Sequence, residues 1–292
     1  MSAAYKAEGN AALSDTATSG LPPLPPSLSA ELDGDVAILH LARPDKRNAL
    51  NDPTVLGLEA FFTGLPDQVK AVVLVGDGAH FSAGLDLSEL QERDVAEGIH
   101  HSRMWHSVFE KIEFGRVPVV AVMHGAVVGG GLELACAAHV RIAEASTYYG
   151  LPEGQRGIFL AGMLVGFALG LVGGGGSVRV PKLIGASRMM DMMLTGRVYD
   201  AEEGHAIGLS HYLVGDGAGL EKARELAKKV AANAPMTNFA VMHAVPRIAE
   251  ATGSNGYLTE ALMAAIAQNE EVAKERLRDF LEKRAAKVEK NR

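Results

Sequence analysis

Two glutamates carry the residue type and surroundings that proton-transfer chemistry needs. Glu133 stands one turn into Gly129-Gly130-Gly131-Leu132-Glu133-Leu134-Ala135, where three glycines run straight into an amphipathic helical pattern. Glu153 follows in Tyr149-Gly150-Leu151-Pro152-Glu153-Gly154. A helix start has unpaired N–H groups and a positive dipole end, and glycines let a ligand approach the backbone, so such a turn suits developing negative charge. Leu132, Leu134, Ala135 and Cys136 flank Glu133 and point to a partly buried carboxylate, the kind that general acid–base catalysis uses. The plainer alternative is a solvated carboxylate that stabilises the helix dipole. Spacing alone leaves both open.

Other chemistries drop out on spacing. The run Gly125 to Gly131 contains no G-x-G-x-x-G, and Gly76-Asp77-Gly78 is followed by Phe81 where a third glycine would stand. No Walker A sequence and no G-x-S-x-G elbow occur. His100, His101 and His106 cluster without the i, i+4 separation of a helical metal pair and read as ordinary helix residues.

The elements that position the glutamates follow from hydropathy. Val36 to Leu41 reads as a strand, and Arg43-Pro44-Asp45-Lys46-Arg47-Asn48 as a charged turn into a helix near Pro53 to Gly64. Ala71 to Val75 and Val117 to Val122 are near-continuous apolar runs of the kind buried on both faces, and each leads into a glycine-bearing turn. Residues 94 to 114 read as a helix between them. Strand, turn and helix alternate, which predicts α/β layering. Residues 220 to 292 read as helical, with Leu258, Leu262, Met263, Ile266, Val272, Leu277 and Phe280 forming a face suited to docking. Met189, Met190, Met192 and Met193 read as helical core packing in preference to a flexible acyl pocket.

Composition narrows the classes. A formal net charge of −7 without a basic run disfavours nucleic acid and anionic membrane surfaces. The single cysteine, Cys136, excludes an intramolecular disulfide and a multi-thiolate zinc site, and a reducing compartment fits best. The first thirty residues lack the basic and apolar regions of a secretory signal. With Leu21-Pro22-Pro23-Leu24-Pro25-Pro26 they read as an extended, flexible arm.

Taken in order, Arg43-Pro44-x-Lys46-Arg47-Asn48-Ala49-Leu50, Phe81-Ser82-Ala83-Gly84-x-Asp86-Leu87, Gly129-Gly130-Gly131-x-Glu133-Leu134-Ala135, Pro152-Glu153 and Leu194-Thr195-Gly196-Arg197 resemble the crotonase (enoyl-CoA hydratase/isomerase) superfamily. The resemblance covers about residues 30 to 285 and implies a ββα spiral core over 31–218, after an arm over 1–30, and a C-terminal helical trimerisation region over 219–292. It implies hydration of an α,β-unsaturated acyl-CoA, coenzyme A being part of the substrate, with no separate cofactor and no metal. Leu85 and Gly130 would supply the oxyanion-hole N–H donors, and Glu133 and Glu153 the acid/base pair. Ala83, Asp86 and Leu87 would meet CoA through backbone, Lys46 or Arg47 would face phosphate, and Lys283 would reach a neighbouring subunit's CoA or remain a solvated charge. A homotrimer or hexamer in the cytoplasm is expected. Within the superfamily, Leu85 to Leu90, His101 to His106, Leu132 to His139 and Arg188 to Tyr199 are most similar to the methylthioacryloyl-CoA hydratases. A sister isomerase or general hydratase activity, and a non-enzymatic RNA-binding scaffold, stand as alternatives.

The sequence departs from the family at Leu160 to Leu171, an apolar insert without a polar side chain. It would cap the acyl pocket, extend a subunit contact, distort the site, or reflect a gene-model artefact.

Overall fold

A computed structural model describes residues 20–89, 94–152, 174–251 and 253–282. The central sheet is built from β1 (Leu28–Asp33), β2 (Val36–Leu41), β3 (Ala71–Gly76), β4 (Val119–Met123), β6 (Val140–Glu144) and β9 (Tyr212–Val214), in that spatial order. β1 and β2 form an antiparallel hairpin, and the remaining neighbours run parallel. A second, three-stranded sheet joins β5 (Ala126–Val128), β7 (Tyr148–Gly150) and β8 (Val198–Asp200).

The period of two along β3 and β4 divides their side chains between two cores. Val72, Leu74, Val119 and Ala121 face a large core filled by α1 (Asp52–Thr63), α2 (Val95–Glu113) and α3 (Gly130–Ala137). Val73, Val120 and Val122 face a smaller core closed by Ala223, Leu226, Ala227 and Ala231 of α7 (Gly219–Ala231). Every residue of both strands is buried, which explains the unbroken apolar runs. The expected helix over 94–114 is α2, started by an Asp94–Glu97 capping box.

The proline-rich leader differs from its expectation over residues 20–30. Leu28 to Ala30 pair with β2 as part of β1, Leu21 and Leu24 pack on the large core, and Pro25 lies against Gly57 of α1 so closely that a Cβ there would come within 2.6 Å of it. The prolines supply apolar rings and need no ladder partner, so this stretch is docked rather than flexible. Arg224 of α7 bridges to Glu31 and Asp33 and clips β1 from the far end of the chain.

After β7 come α4 (Gly176–Ile184), α5 (Ala186–Thr195), α6 (Ala201–Ile207), α8 (Pro235–Glu250), α9 (Gly253–Gln268) and α10 (Glu271–Leu281). Met189, Met192 and Met193 of α5 are buried and Met190 is exposed, as core packing of that helix requires. The apolar residues expected to form a docking face are not buried within this chain: Leu258 is 61% exposed, Leu262 56% and Leu277 53%. The side chain of Phe280 lies outside the described residues. Among the described residues, no helix is long and apolar enough to cross a membrane.

Candidate active site

The turn after β3 is organised by Asn48. Its backbone sits at φ 52°, its side chain donates to the carbonyls of Asp77 and His80, and its own carbonyl accepts the Ser82 hydroxyl. Arg43 reaches from the preceding turn to the Asp86 carboxylate at 2.7 Å and to the Ala49 carbonyl at 2.8 Å. Burial would raise the Asp86 carboxyl, but its bonds to Ser88 and Arg43 win and hold it below the usual carboxylate range. The Leu50 N–H donates to the Gly84 carbonyl, and the Asp86 N–H to the Leu50 carbonyl. That alternation turns the intervening N–H, Leu85, away from Leu50.

It turns toward the second glycine turn. The Ser82 N–H donates to the Ala126 carbonyl and the Val128 N–H to the Ser82 carbonyl, and Gly84 at φ 90° passes so near Val128 that a Cβ would lie 2.6 Å from its carbonyl oxygen. Gly129, at φ 52°, donates to the Gly150 carbonyl and lets the chain enter α3. Gly130 is the first residue of α3, and a Cβ on it would stand 3.6 Å from the Leu85 nitrogen. Leu85 and Gly130 therefore bring two backbone N–H groups side by side, and among the described residues neither bonds to another backbone group.

Glu133 follows one turn along. It is 1% exposed, fully rather than partly buried, and its carboxylate is not simply sunk in apolar surroundings. Oε2 accepts the Gly174 N–H at 2.9 Å, and Oε1 accepts the Gly176 N–H at 2.7 Å. Side chains are excluded at both glycines: a Cβ on Gly174 would lie 2.4 Å from the Phe109 ring, and one on Gly176 would lie 2.6 Å from Glu133 Cγ. An aromatic wall backs this space. Trp105 is fully buried, donates its indole N–H to Asp52 at 3.0 Å, and lies near Phe109 with 6.0 Å between ring centroids. A Cβ on Gly130 would be 3.7 Å from the Trp105 ring. His101, left as an ordinary helix residue by its spacing, also bonds Asp52, at 2.6 Å.

A family model described as enoyl-CoA hydratase/isomerase matches residues 31–291. This chain belongs to the enoyl-CoA hydratase/isomerase family. A short-chain-enoyl-CoA hydratase of Clostridium acetobutylicum is 29% identical over 90% of this chain and 97% of its own length. A solved structure from Rhodopseudomonas palustris, described provisionally as an enoyl-CoA hydratase, is 56% identical with a TM-score of 0.82, covering 89% of this chain and 96% of that one. The enoyl-CoA hydratase of Bacillus anthracis has a TM-score of 0.78 at 29% identity, covering 88% of this chain and 97% of that one. The α/β crotonase fold expected from the sequence is the fold observed.

Within this crotonase fold, the remaining expected site residues fall into two sets. Lys46 and Arg47 are exposed, and the Arg47 carbonyl accepts the Ala83 N–H, so the basic turn borders the turn that carries Leu85. Leu87 is exposed beyond it, while the Asp86 side chain is taken up by Arg43 and Ser88 and leaves only its backbone for a ligand. Glu153, Lys283 and the insert 160–171 lie outside the described residues. Residue spacing missed Trp105, Asp52 and Gly174 to Gly176 as neighbours of the site. The Gly173 to Gly176 run was the available signal, since consecutive glycines after a candidate acid mark close backbone approach.

Proposed function

We propose that this chain adds water to an α,β-unsaturated acyl-CoA, with methylthioacryloyl-CoA as its substrate. The observation that carries the reading is the pair of adjacent N–H groups, Leu85 and Gly130, at the head of a helix whose next turn bears the buried carboxylate of Glu133. A thioester carbonyl oxygen between those donors would be stabilised as it becomes an enolate oxygen, and one such donor contributes about 2.7 to 4 kcal/mol in a well-studied protease. Glu133 would take a proton from water attacking Cβ, its carboxylate held in place by the Gly174 and Gly176 amides. Glu153 would deliver a proton to Cα. The exposed Lys46 and Arg47 would face CoA phosphate beside the backbone of Ala83, Asp86 and Leu87, and Lys283 would serve a neighbouring subunit's CoA.

With methylthioacryloyl-CoA the attacked carbon bears sulfur, so hydration gives a hemithioacetal that expels methanethiol. Hydrolysis of the remaining thioester and decarboxylation lead to acetaldehyde, CO₂ and CoA. Four stretches of sequence similarity favour this substrate. The names of the Clostridium and Bacillus relatives favour a general short-chain enoyl-CoA hydratase as the second reading. The exposed apolar residues of α9 and α10 support assembly as a homotrimer or hexamer.

Hydration of crotonyl-CoA and methylthioacryloyl-CoA, with methanethiol release, is to be measured for wild type, Glu133→Ala and Glu153→Ala. The expected result is turnover of both substrates, faster release from the sulfur compound, and near-loss in both variants. Equal rates in all three proteins would sink the mechanism. Activity appearing only after deletion of 160–171 would mark the insert as damaging, and RNA retention that survives high salt would favour a scaffold role.

A further inference from the structure

Among the described residues, the Gly174–Gly176 turn that grips Glu133 is backed by the Phe109 ring at Gly174 and by the Arg179 guanidinium at Gly175. Its far side, at Gly175, opens onto a cavity of about 300 Å³ lined by His106, Glu110, Glu113, Ser177 and Arg179 among others. What spans that side is a guanidinium. Arg179, on α4 and itself buried, donates from Nη1 to the Gly174 carbonyl at 2.7 Å and from Nε to the Glu113 carboxylate at 2.6 Å. Gly175 at φ 89° brings the backbone so close to the same guanidinium that a Cβ would lie 2.6 Å from Nη1. Hydrogen bonds thus tie the Glu113 carboxylate through the Arg179 guanidinium to the 174–175 peptide, and the peptides flanking that one supply the Gly174 and Gly176 N–H groups that hold Glu133.

We propose that Arg179 and Glu113 are positioning residues for Glu133, the ion pair fixing the Gly174–Gly176 turn so that two amide N–H groups stay aimed at the Glu133 carboxylate. The geometry supports this over a purely structural bridge in one respect. Arg179 donates to the carbonyl of the 174–175 peptide, which lies between the two peptides whose N–H groups bind Glu133, so its loss frees the orientation of the peptide that joins them. A planar guanidinium can hold the carbonyl and the carboxylate together where an ammonium is a single point charge. The inference rests on Glu133 acting as the base.

The test compares wild type with Arg179→Met, Arg179→Lys and Glu113→Gln in the full chain. Crotonyl-CoA hydration across pH is read as kcat and KM. In parallel, the ¹³C carboxyl resonance of Glu133, assigned by its loss in Glu133→Gln, is titrated. Arg179→Met is expected to lower kcat about 10- to 100-fold with KM changed less than about threefold, and to shift the acidic limb of kcat and the Glu133 titration upward together. Arg179→Lys and Glu113→Gln should show smaller shifts in the same direction, and they decide the matter if Arg179→Met does not fold. If wild type hydrates no acyl-CoA but the Glu133 titration still moves, the positioning role stands and the hydratase reading falls. Folded variants whose titration and acidic limb match wild type overturn the proposal.

Discussion

Two glycine turns, Gly84 after β3 and Gly174–Gly176 before α4, use opposite strategies to hold polar groups in a buried place. At the first, side chains discipline backbone: Asn48, Arg43 and Ser82 spend their hydrogen bonds on carbonyls of the loop, and the result is one N–H, Leu85, turned in a fixed direction. At the second, backbone disciplines a side chain, since the amides of Gly174 and Gly176 hold the Glu133 carboxylate. An electrostatic donor for a developing oxyanion gains from rigidity alone. An acid or base must also accept and release a proton, and a carboxylate held by amides keeps a defined geometry while its charge changes.

That contrast can be broken at either end. The largest effect is expected at the second turn: Glu133→Gln retains the size of the side chain, removes the proton-accepting carboxylate, and should lower kcat by about 10²- to 10⁴-fold, while its NH₂ group faces one of the two glycine N–H donors and lowers stability by about 1 to 3 kcal/mol. The first turn should respond mainly in stability. Arg43→Leu strands the buried Asp86 carboxylate, and urea unfolding should show a loss of about 3 kcal/mol, the low end of what breaking a buried pair costs. Recovery in Arg43→Leu/Asp86→Asn would attribute that loss to the unpaired charge.

Gly174→Ala sits between these cases. Its methyl meets Phe109, so overpacking of about 1 to 3 kcal/mol is expected together with a fall in kcat. Restored activity in Gly174→Ala/Phe109→Leu would show that space, and not glycine's flexibility, is what the amide grip needs.

The smallest effect is a pH dependence behind the second turn. His139 accepts the Val119 N–H at Nδ1, while Nε2 pairs with the Glu113 carbonyl, and burial pushes its pKa down to about 4 against the opposing Glu113 bond. The unfolded chain binds the proton first, at about 6.5, so this stabilisation is complete above that pH and is lost as the pH falls from about 6.5 to about 4. Unfolding free energy should drop by about 1 to 3 kcal/mol more across that window in wild type than in His139→Gln. His211, also pushed down to about 4 by burial, contributes to both proteins and cancels in the comparison.

What the sequence disclosed follows the same division. β2, β3, β4 and α2 are legible because burial on two faces or a capping box writes itself into consecutive residues. Gly84 and Gly129 to Gly131 announce close backbone approach after β3 and at the head of α3. The pairs that orient the site do not announce themselves: Arg43 with Asp86, Asp52 with Trp105, and Arg179 with Glu113 join residues brought together only by sheet order and helix packing. β5, β7 and β8 are three residues each, too short for an alternation to register. β1 was hidden for a different reason, because its first residues continue a proline run that by composition favours an extended, unpaired chain.

The closure of the smaller core by α7 also sets an order of events during synthesis. Val36, Ile38, Val73 and Val120 are made early, yet the alanines and leucine that cover them end at Ala231. A nascent chain that has emerged only as far as β6 carries a parallel sheet with one apolar face bare and its β9 edge unpaired. Ribosome-bound intermediates of that length are where chaperone engagement and truncation-induced aggregation should concentrate.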